Sequence, residues 1–208
     1  MDKDDVRIRQ HETPYQGYLK VETYHLTHRR FGGDWMPEIR REVLRRGGAV
    51  AVVLYDPDRD AVLLIEQFRI GAYVNGRPPW VTEIVAGMIE PGQDPADVAR
   101  RETREEAGCE VLDLVPIYDY LVSPGCMDET VSLFCGRIDS NGLGGHYGLS
   151  EEGEDIRVVV RPFAEAWSEL EHGRLANSIT VVGMLWLKLH RDELRQRWSA
   201  PPQPAAPG

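Results

Sequence analysis

A chain of 208 residues with 42% hydrophobic and 28% charged residues can bury one sizeable domain, or one domain plus a small appendage. Its formal net charge of −10 argues against nucleic acid as a partner, since phosphate backbones need concentrated Lys and Arg, but a small phosphorylated ligand remains open if a cation and a few arginines reverse the local sign. No apolar run reaches a membrane span, the opening MDKDDVRIRQ lacks a secretory stretch, and three cysteines without a disulfide or metal framework point to a reducing, cytoplasmic compartment.

In chain order, residues 18–27 (YLKVETYHLT) alternate as a strand does, and a second short strand is expected after the Gly32-Gly33 turn. Residues 38–48 (EIRREVLRRGG) could be a strand or a short helix. Strand is preferred because Gly47-Gly48 leads straight into the apolar run AVAVVLY. DPDRD is turn chemistry, which makes AVAVVLY and AVLLIEQF (61–68) a hairpin. VNGRPP is a loop, and WVTEIVAG (80–87) is one strand feeding the stretch that follows.

Residues 86–109, AGMIEPGQDPADVARRETREEAGC, predict a loop and a well-capped helix. Asp94 suits the N-cap, Pro95 the first helical position, Asp97 a variant capping box and Gly108 the C-terminal stop. Ala96, Ala99, Thr103 and Ala107 recur at helical spacing as a small-residue face. Glu102, Glu105 and Glu106 crowd neighbouring positions, where like charges cost roughly 0.2–0.5 kcal/mol per pair. Arginines at 100, 101 and 104 offset part of that cost, for example Arg101 with Glu105. A carboxylate cluster beside a bent loop is what a hard divalent cation such as Mg²⁺ or Mn²⁺ uses. A solvated acidic face is the plainer alternative.

Beyond the helix, VLDLVPIYDYLV and TVSLFCGRI read as strands around the loop 123–129 (SPGCMDE). The glycine-rich segment 140–155 is too polar for a core element. IRVVV is a strand, a helix runs from Pro162-Phe163 to near Gly173, and Asn177 or Ser178 caps a final helix. Its apolar stripe, Ile179, Val182, Leu185, Trp186 and Leu189, is expected to pack on the core. Mixed strands with outer helices imply an α/β layered domain.

The fixed positions Gly87, Arg101-Glu102, Glu105-Glu106 and Gly108 resemble the Nudix box. One position departs: Gln93 stands where the family has Glu, and Cys109 fills the last apolar position. From about Tyr18 to Trp198 the chain is similar to the ADP-ribose pyrophosphatase branch, through the arginine-bearing strand 65–73 (IEQFRIGAY), Pro124 and the acidic loop 148–156 (GLSEEGEDI). That resemblance implies a Nudix α/β/α sandwich with a mixed sheet, Mg²⁺ (or Mn²⁺) as cofactor, and hydrolysis of ADP-ribose to AMP and ribose 5-phosphate. It implies a homodimer exchanging its N-terminal segment, with residues 1–47 β-rich and dimerising, 48–198 catalytic, and 199–208 a disordered tail. By position it makes Ala86 (carbonyl), Glu102, Glu106 and Glu154 metal ligands. Glu105 becomes a supporting carboxylate and Glu152 the general base. Arg69 and Ser123 become substrate contacts, Glu83 a substrate-side or metal-network carboxylate, and Arg41 and Glu129 face the substrate across the dimer. Arg69 could equally pair with Glu66 or Glu83 on a strand surface. Alternatives are a hydrolase of another nucleotide sugar, such as ADP-glucose or GDP-mannose, and a non-catalytic ADP-ribose sensor suggested by Gln93.

Overall fold

The computed structural model describes residues 1–149, 151 and 153–199. The chain divides into two compact units, Met1–Gly48 with Tyr120–Val131, and Ala49–Asp119 with the chain from Ser132 onward.

The first unit is an antiparallel sheet of β1 (Val6–Gln16), β2 (Lys20–His28) and β3 (Ile39–Arg45), in that order. The expected strands near 18–27 and 38–48 are β2 and β3. Strand β1 was not anticipated: its polar residues hide it, and its register slips between Ile8 and Gln10 and again between Glu12 and Tyr15, around Pro14. A proline donates no ladder bond, so a pairing irregularity at that point is expected. The short strand expected after Gly32-Gly33 is absent; there is only an isolated bridge between Arg29 and Trp35. The Trp35 ring instead meets two guanidinium groups, Arg7 at 4.0 Å and Arg29 at 4.9 Å from its centre. The tip 120–131 joins this unit through Leu44 N–H to Cys126 O (2.9 Å), Asp128 N–H to Leu44 O (3.2 Å) and Thr130 N–H to Gly47 O (3.2 Å).

The second unit holds the larger sheet, ordered β10 (Gly145–Tyr147), β11 (Ile156–Pro162), β5 (Ala61–Phe68), β4 (Gly48–Asp56), β9 (Thr130–Arg137) and β8 (Asp113–Leu121). β4 is buried along nearly its whole length because both of its faces are covered. Val50, Val52 and Leu54 meet Val98, Ala99 and Ala107 of helix α2 (Pro95–Ala107) in one cluster. On the opposite face, Val53 comes so close to Gly183 of α4 (Ser178–Ser199) that a Cβ there would lie 2.4 Å from its Cγ2. Alternate residues of one strand thus serve two helical layers, the α/β/α sandwich.

Three expectations need correction in this unit. WVTEIVAG is two strands, β6 (Trp80–Glu83) pairing β5 and β7 (Val85–Ile89) pairing β4, with Ile84 at the break. Only Leu54–Asp56 of β4 pairs β5, so one segment must cross from the inner end of β5 to the inner end of β4. The glycine-rich segment also contributes to the core: Tyr147 of β10 packs against it, and its ring fills the place a Cβ on Gly108 would take. Finally, the stripe expected on α4 is not its buried face: Ile179, Val182 and Trp186 are only half-buried. Leu185 is 46% and Leu189 78% exposed, whereas Thr180, Gly183, Met184, Leu187, Leu194 and Trp198 are buried. Small Gly183 and polar Thr180 disguise the buried face because they win by fit and hydrogen bonding instead of hydropathy. Two short helices, α1 (Ile70–Val74) and α3 (Phe163–Glu171), complete the unit. No helix among the described residues is long and apolar enough to cross a membrane. The tail expected over 199–208 starts one residue too early, since Ser199 closes α4; residues 200–208 lie outside the described residues.

Candidate active site

Helix α2 forms where its capping chemistry requires. Asp94 accepts the N–H groups of Ala96 (2.9 Å) and Asp97 (3.2 Å), Pro95 occupies the first turn, and Gly108 ends the helix at φ 58°. Asp97 contributes a backbone donor to this cap. The helix lies beside β7, where any side chain at position 87 would have to displace Glu102. A Cβ on Gly87 would lie 2.1 Å from Cδ of Glu102.

One turn on, Glu106 is 4% exposed and its Oε2 accepts the Ala86 N–H at 3.3 Å. Burial pushes its carboxyl up to about 8. The charges of Glu102 and Glu154 add to the rise, while the Ala86 N–H and Arg69 oppose it. Arg101 bridges the other two box glutamates, with Nη2 2.9 Å from Glu102 and Nη1 3.4 Å from Glu105, the latter being the expected i,i+4 pair. Glu105 thus belongs to the rim, and Glu106 to the buried floor.

Arg69 resolves to one of its two expected partners. Its Nε lies 2.9 Å from Glu83, whereas Glu66 is taken by Arg157 at 2.6 Å. Buried Glu83 also accepts from Gln67 (3.4 Å) and Asn177 (2.6 Å). Neither amide had been singled out for the site. Gln67 lies two residues before Arg69, near the end of β5, and Asn177 is expected from the sequence only as a cap.

Glu154 is held by its own loop. Its carboxylate accepts the Leu149 N–H at 3.1 Å and its N–H bonds the Leu149 carbonyl at 3.2 Å. Gly148, at φ 103°, makes room for this turn. Glu152, the expected general base, lies outside the described residues. Arg41, Ser123 and Glu129 belong to the other unit. There Arg41 is exposed on β3, with Nη1 on the Arg40 carbonyl at 2.9 Å. The Ser123 carbonyl accepts from Cys126 and Met127, and Glu129 lies 3.9 Å from Arg46.

Gln93 has a local role. Its side-chain oxygen accepts the Glu90 N–H at 3.0 Å and its amide donates to the Glu90 carboxylate at 3.5 Å, clasping the turn through Gly92 at φ 87°. Arg101 makes no use of position 93, because its guanidinium is spent on Glu102 and Glu105.

The donors gathered at α2 and β7 are all oxygens: the Ala86 carbonyl and the carboxylates of Glu102 and Glu106, with Glu154 close enough in charge to influence Glu106. That set suits a hard divalent cation, which would favour the charged form of buried Glu106. Among the described residues no three acidic, His or Cys side chains close a shell by themselves. Mg²⁺ characteristically needs only one or two carboxylates, completing its octahedron with water and substrate phosphate.

The NUDIX domain family matches residues 45–175, a span that holds the capped helix, the Gly87 contact and the Glu154 loop. The chain belongs to the Nudix family. This Nudix chain is 43% identical over 197 residues to the ADP-ribose pyrophosphatase of Escherichia coli, covering 95% of this chain and 94% of that one. It is 40% identical over 199 residues to the ADP-ribose pyrophosphatase of Haemophilus influenzae, covering 94% and 92%. Identity to a GDP-mannose pyrophosphatase of Cronobacter sakazakii is 33% over 151 residues, covering 72% and 78%. Among solved Nudix folds, a crystal structure of an ADP compounds hydrolase superposes with a TM-score of 0.70 at 20% identity, covering 92% of this chain and 97% of that one. At that identity the likeness is one of fold.

Proposed function

We propose that this chain hydrolyses the diphosphate bond of ADP-ribose, yielding AMP and ribose 5-phosphate, with Mg²⁺ as cofactor. The observation that carries the reading is the near full-length identity, 43% and 40%, to two proteins named ADP-ribose pyrophosphatase. The GDP-mannose pyrophosphatase is more distant and covers less of the chain, so hydrolysis of another nucleotide sugar is the competing outcome. The sensor alternative loses its motive, because Gln93 is engaged in a turn and the helix glutamates are intact.

In this reading Ala86, Glu102, Glu106 and Glu154 hold the cation. Bound there, it would neutralise the non-bridging phosphate oxygens and lower the pKa of a water. The protein's own part is positioning. Arg69, its Nε fixed on Glu83, offers its outward nitrogens to the diphosphate. Glu105 supports the carboxylate rim through Arg101. Glu152 takes a proton from the attacking water, carried by a loop whose glycines at 148 and 153 adopt positive φ. Ser123 contacts substrate, and Arg41 and Glu129 reach it from a second copy.

That last role belongs with a homodimer that exchanges residues 1–47, leaving 48–198 as the catalytic part. Its support is β1, whose eleven residues are all exposed and whose outer edge is unpaired among the described residues, a ready template for another chain. The three free thiols, two of them buried, suit a cytoplasmic location. The deciding experiment is a nucleotide-sugar panel under Mg²⁺ and Mn²⁺, ranked by kcat/KM, with EDTA as control. ADP-ribose should lead and EDTA should abolish turnover; leadership by GDP-mannose or ADP-glucose would reassign the substrate.

A further inference from the structure

Glu83 takes three donors, and one of them arrives from the far end of the sequence. Arg69 Nε (2.9 Å) and Gln67 Nε2 (3.4 Å) reach its Oε2, while Asn177 Nδ2 reaches Oε1 at 2.6 Å. The Asn177 amide is used at both ends. Its Oδ1 caps α4, accepting the N–H groups of Ile179 (2.9 Å) and Thr180 (3.3 Å). The cap requires the oxygen on that side, so the nitrogen necessarily faces the carboxylate.

The following turns of α4 are keyed to the same place. Thr180, fully buried, accepts the Ile84 N–H through Oγ1 at 3.1 Å, satisfying a backbone donor at the break between β6 and β7. Gly183 lets Val53 and Ile84 approach to where a side chain would otherwise stand. Asn177, Thr180 and Gly183 therefore form one ridge that grips Glu83 and Ile84, just ahead of Ala86.

Residue type sharpens the point. Asp and Ser cap helices about as well as Asn, and Thr somewhat less well. Asp would set a second carboxylate against Glu83, and Ser has a shorter reach. Of these only Asn accepts at the cap while donating an amide N–H to a carboxylate.

We propose that Asn177 is a positioning residue for Arg69. It holds the Glu83 carboxylate from the side opposite Arg69, and so fixes the guanidinium that receives the substrate's diphosphate. A long arginine side chain on the strand edge would otherwise sample many rotamers, and ordering it at the moment of binding weakens affinity. The inference rests on the hydrolase reading above, in which Arg69 touches the diphosphate.

The test is a pair of cap-preserving variants, Asn177→Asp and Asn177→Ser. Both should raise KM for ADP-ribose about tenfold, as loss of one hydrogen bond to a charged group predicts, with kcat within about threefold of wild type. Tm should fall by only a few degrees in Asn177→Ser, where the helix cap survives, and further in Asn177→Asp, where two carboxylates meet. In the ¹⁵N-labelled protein, the Arg69 Nε–H signal should lose its protection from solvent exchange in both variants. Unchanged KM with an unchanged Arg69 signal overturns the inference, as does a KM rise that appears only alongside a matching fall in Tm. Wild-type protein inert toward the whole nucleotide-sugar panel rejects the hydrolase reading instead. The Arg69 signal needs no turnover, so it still decides whether Asn177 holds that guanidinium.

Discussion

Glu106 and Gln93 define what single residues contribute. Glu106 is a buried carboxyl with like charges beside it, an arrangement that costs free energy unless a proton or a cation neutralises it. Glu106→Gln keeps the shape and removes the charge, so kcat/KM with Mg²⁺ should fall on the order of 10³-fold while the metal-free fold stays as stable as before or gains stability. AMP release and a thermal melt check both halves; activity within tenfold of wild type would remove Glu106 from the ligand set. Gln93 departs from the family pattern without a visible cost. Gln93→Glu would replace an amide donor by a carboxylate 3.5 Å from Glu90. The expected result is kcat within a few-fold of wild type and a loss of a few tenths of a kcal/mol in stability, about the size of an exposed like-charge pair. A steep rise in kcat on this change would mean that the turn had been limiting the site.

At the level of elements, α4 and the three-stranded sheet each carry a measurable consequence. Met184→Ala should cost about 2–5 kcal/mol and Leu189→Ala no more than about 0.5 kcal/mol, because the first side chain is fully buried and the second stands in solvent. Urea titration of the two variants distinguishes this from the hydropathy stripe, which ranks them the other way. In the sheet, Glu22 of β2 is enclosed by Lys20, Tyr24 (2.5 Å), Arg45 (3.1 Å) and His11 (3.2 Å). The Lys20 and Tyr24 hydrogen bonds, with Arg45 nearby, hold its carboxyl down to about 2 against an ordinary 4.5. A folded-state pKa below the unfolded one means that this stabilisation is complete above about pH 4.5 and drains away as pH falls toward 2. Glu22→Gln should flatten that part of the acid stability curve and leave the slope above pH 5 unchanged. Acid titration followed by circular dichroism reads the difference.

On the scale of the whole molecule, the proposed homodimer rests on the first unit. Within the first, β1 has no chain of its own to cover it, while Val6, Ile8 and Tyr15 stand exposed along it. The expected outcome is a dimer by light scattering, converted to monomer by deleting residues 1–17. Activity should fall in that truncated chain even where its larger sheet remains folded, since Arg41 and Glu129 reach substrate from the partner copy in the proposed arrangement. A full-length monomer that turns over at the full rate would rule this out.

The sequence by itself determined the capped helix 95–107, its glutamates and the glycines at 87 and 108. These signals are local: a cap, a stop and a repulsive cluster lie within a few residues of one another, and their physics does not depend on the rest of the chain. It also settled the hairpin of β4 and β5, whose continuous apolar runs suit a strand buried on both faces. Only the tertiary structure decided how Arg69 and Glu66 choose their partners. It also split residues 80–89 into two strands and chose which face of α4 is buried. Each of these depends on long-range neighbours: the divergence of β5 from β4, the closeness of Val53 to Gly183, and an amide at 177 meeting a carboxylate at 83. Hydropathy periodicity cannot register a glycine chosen for its absence of volume, or an asparagine chosen because it both accepts and donates.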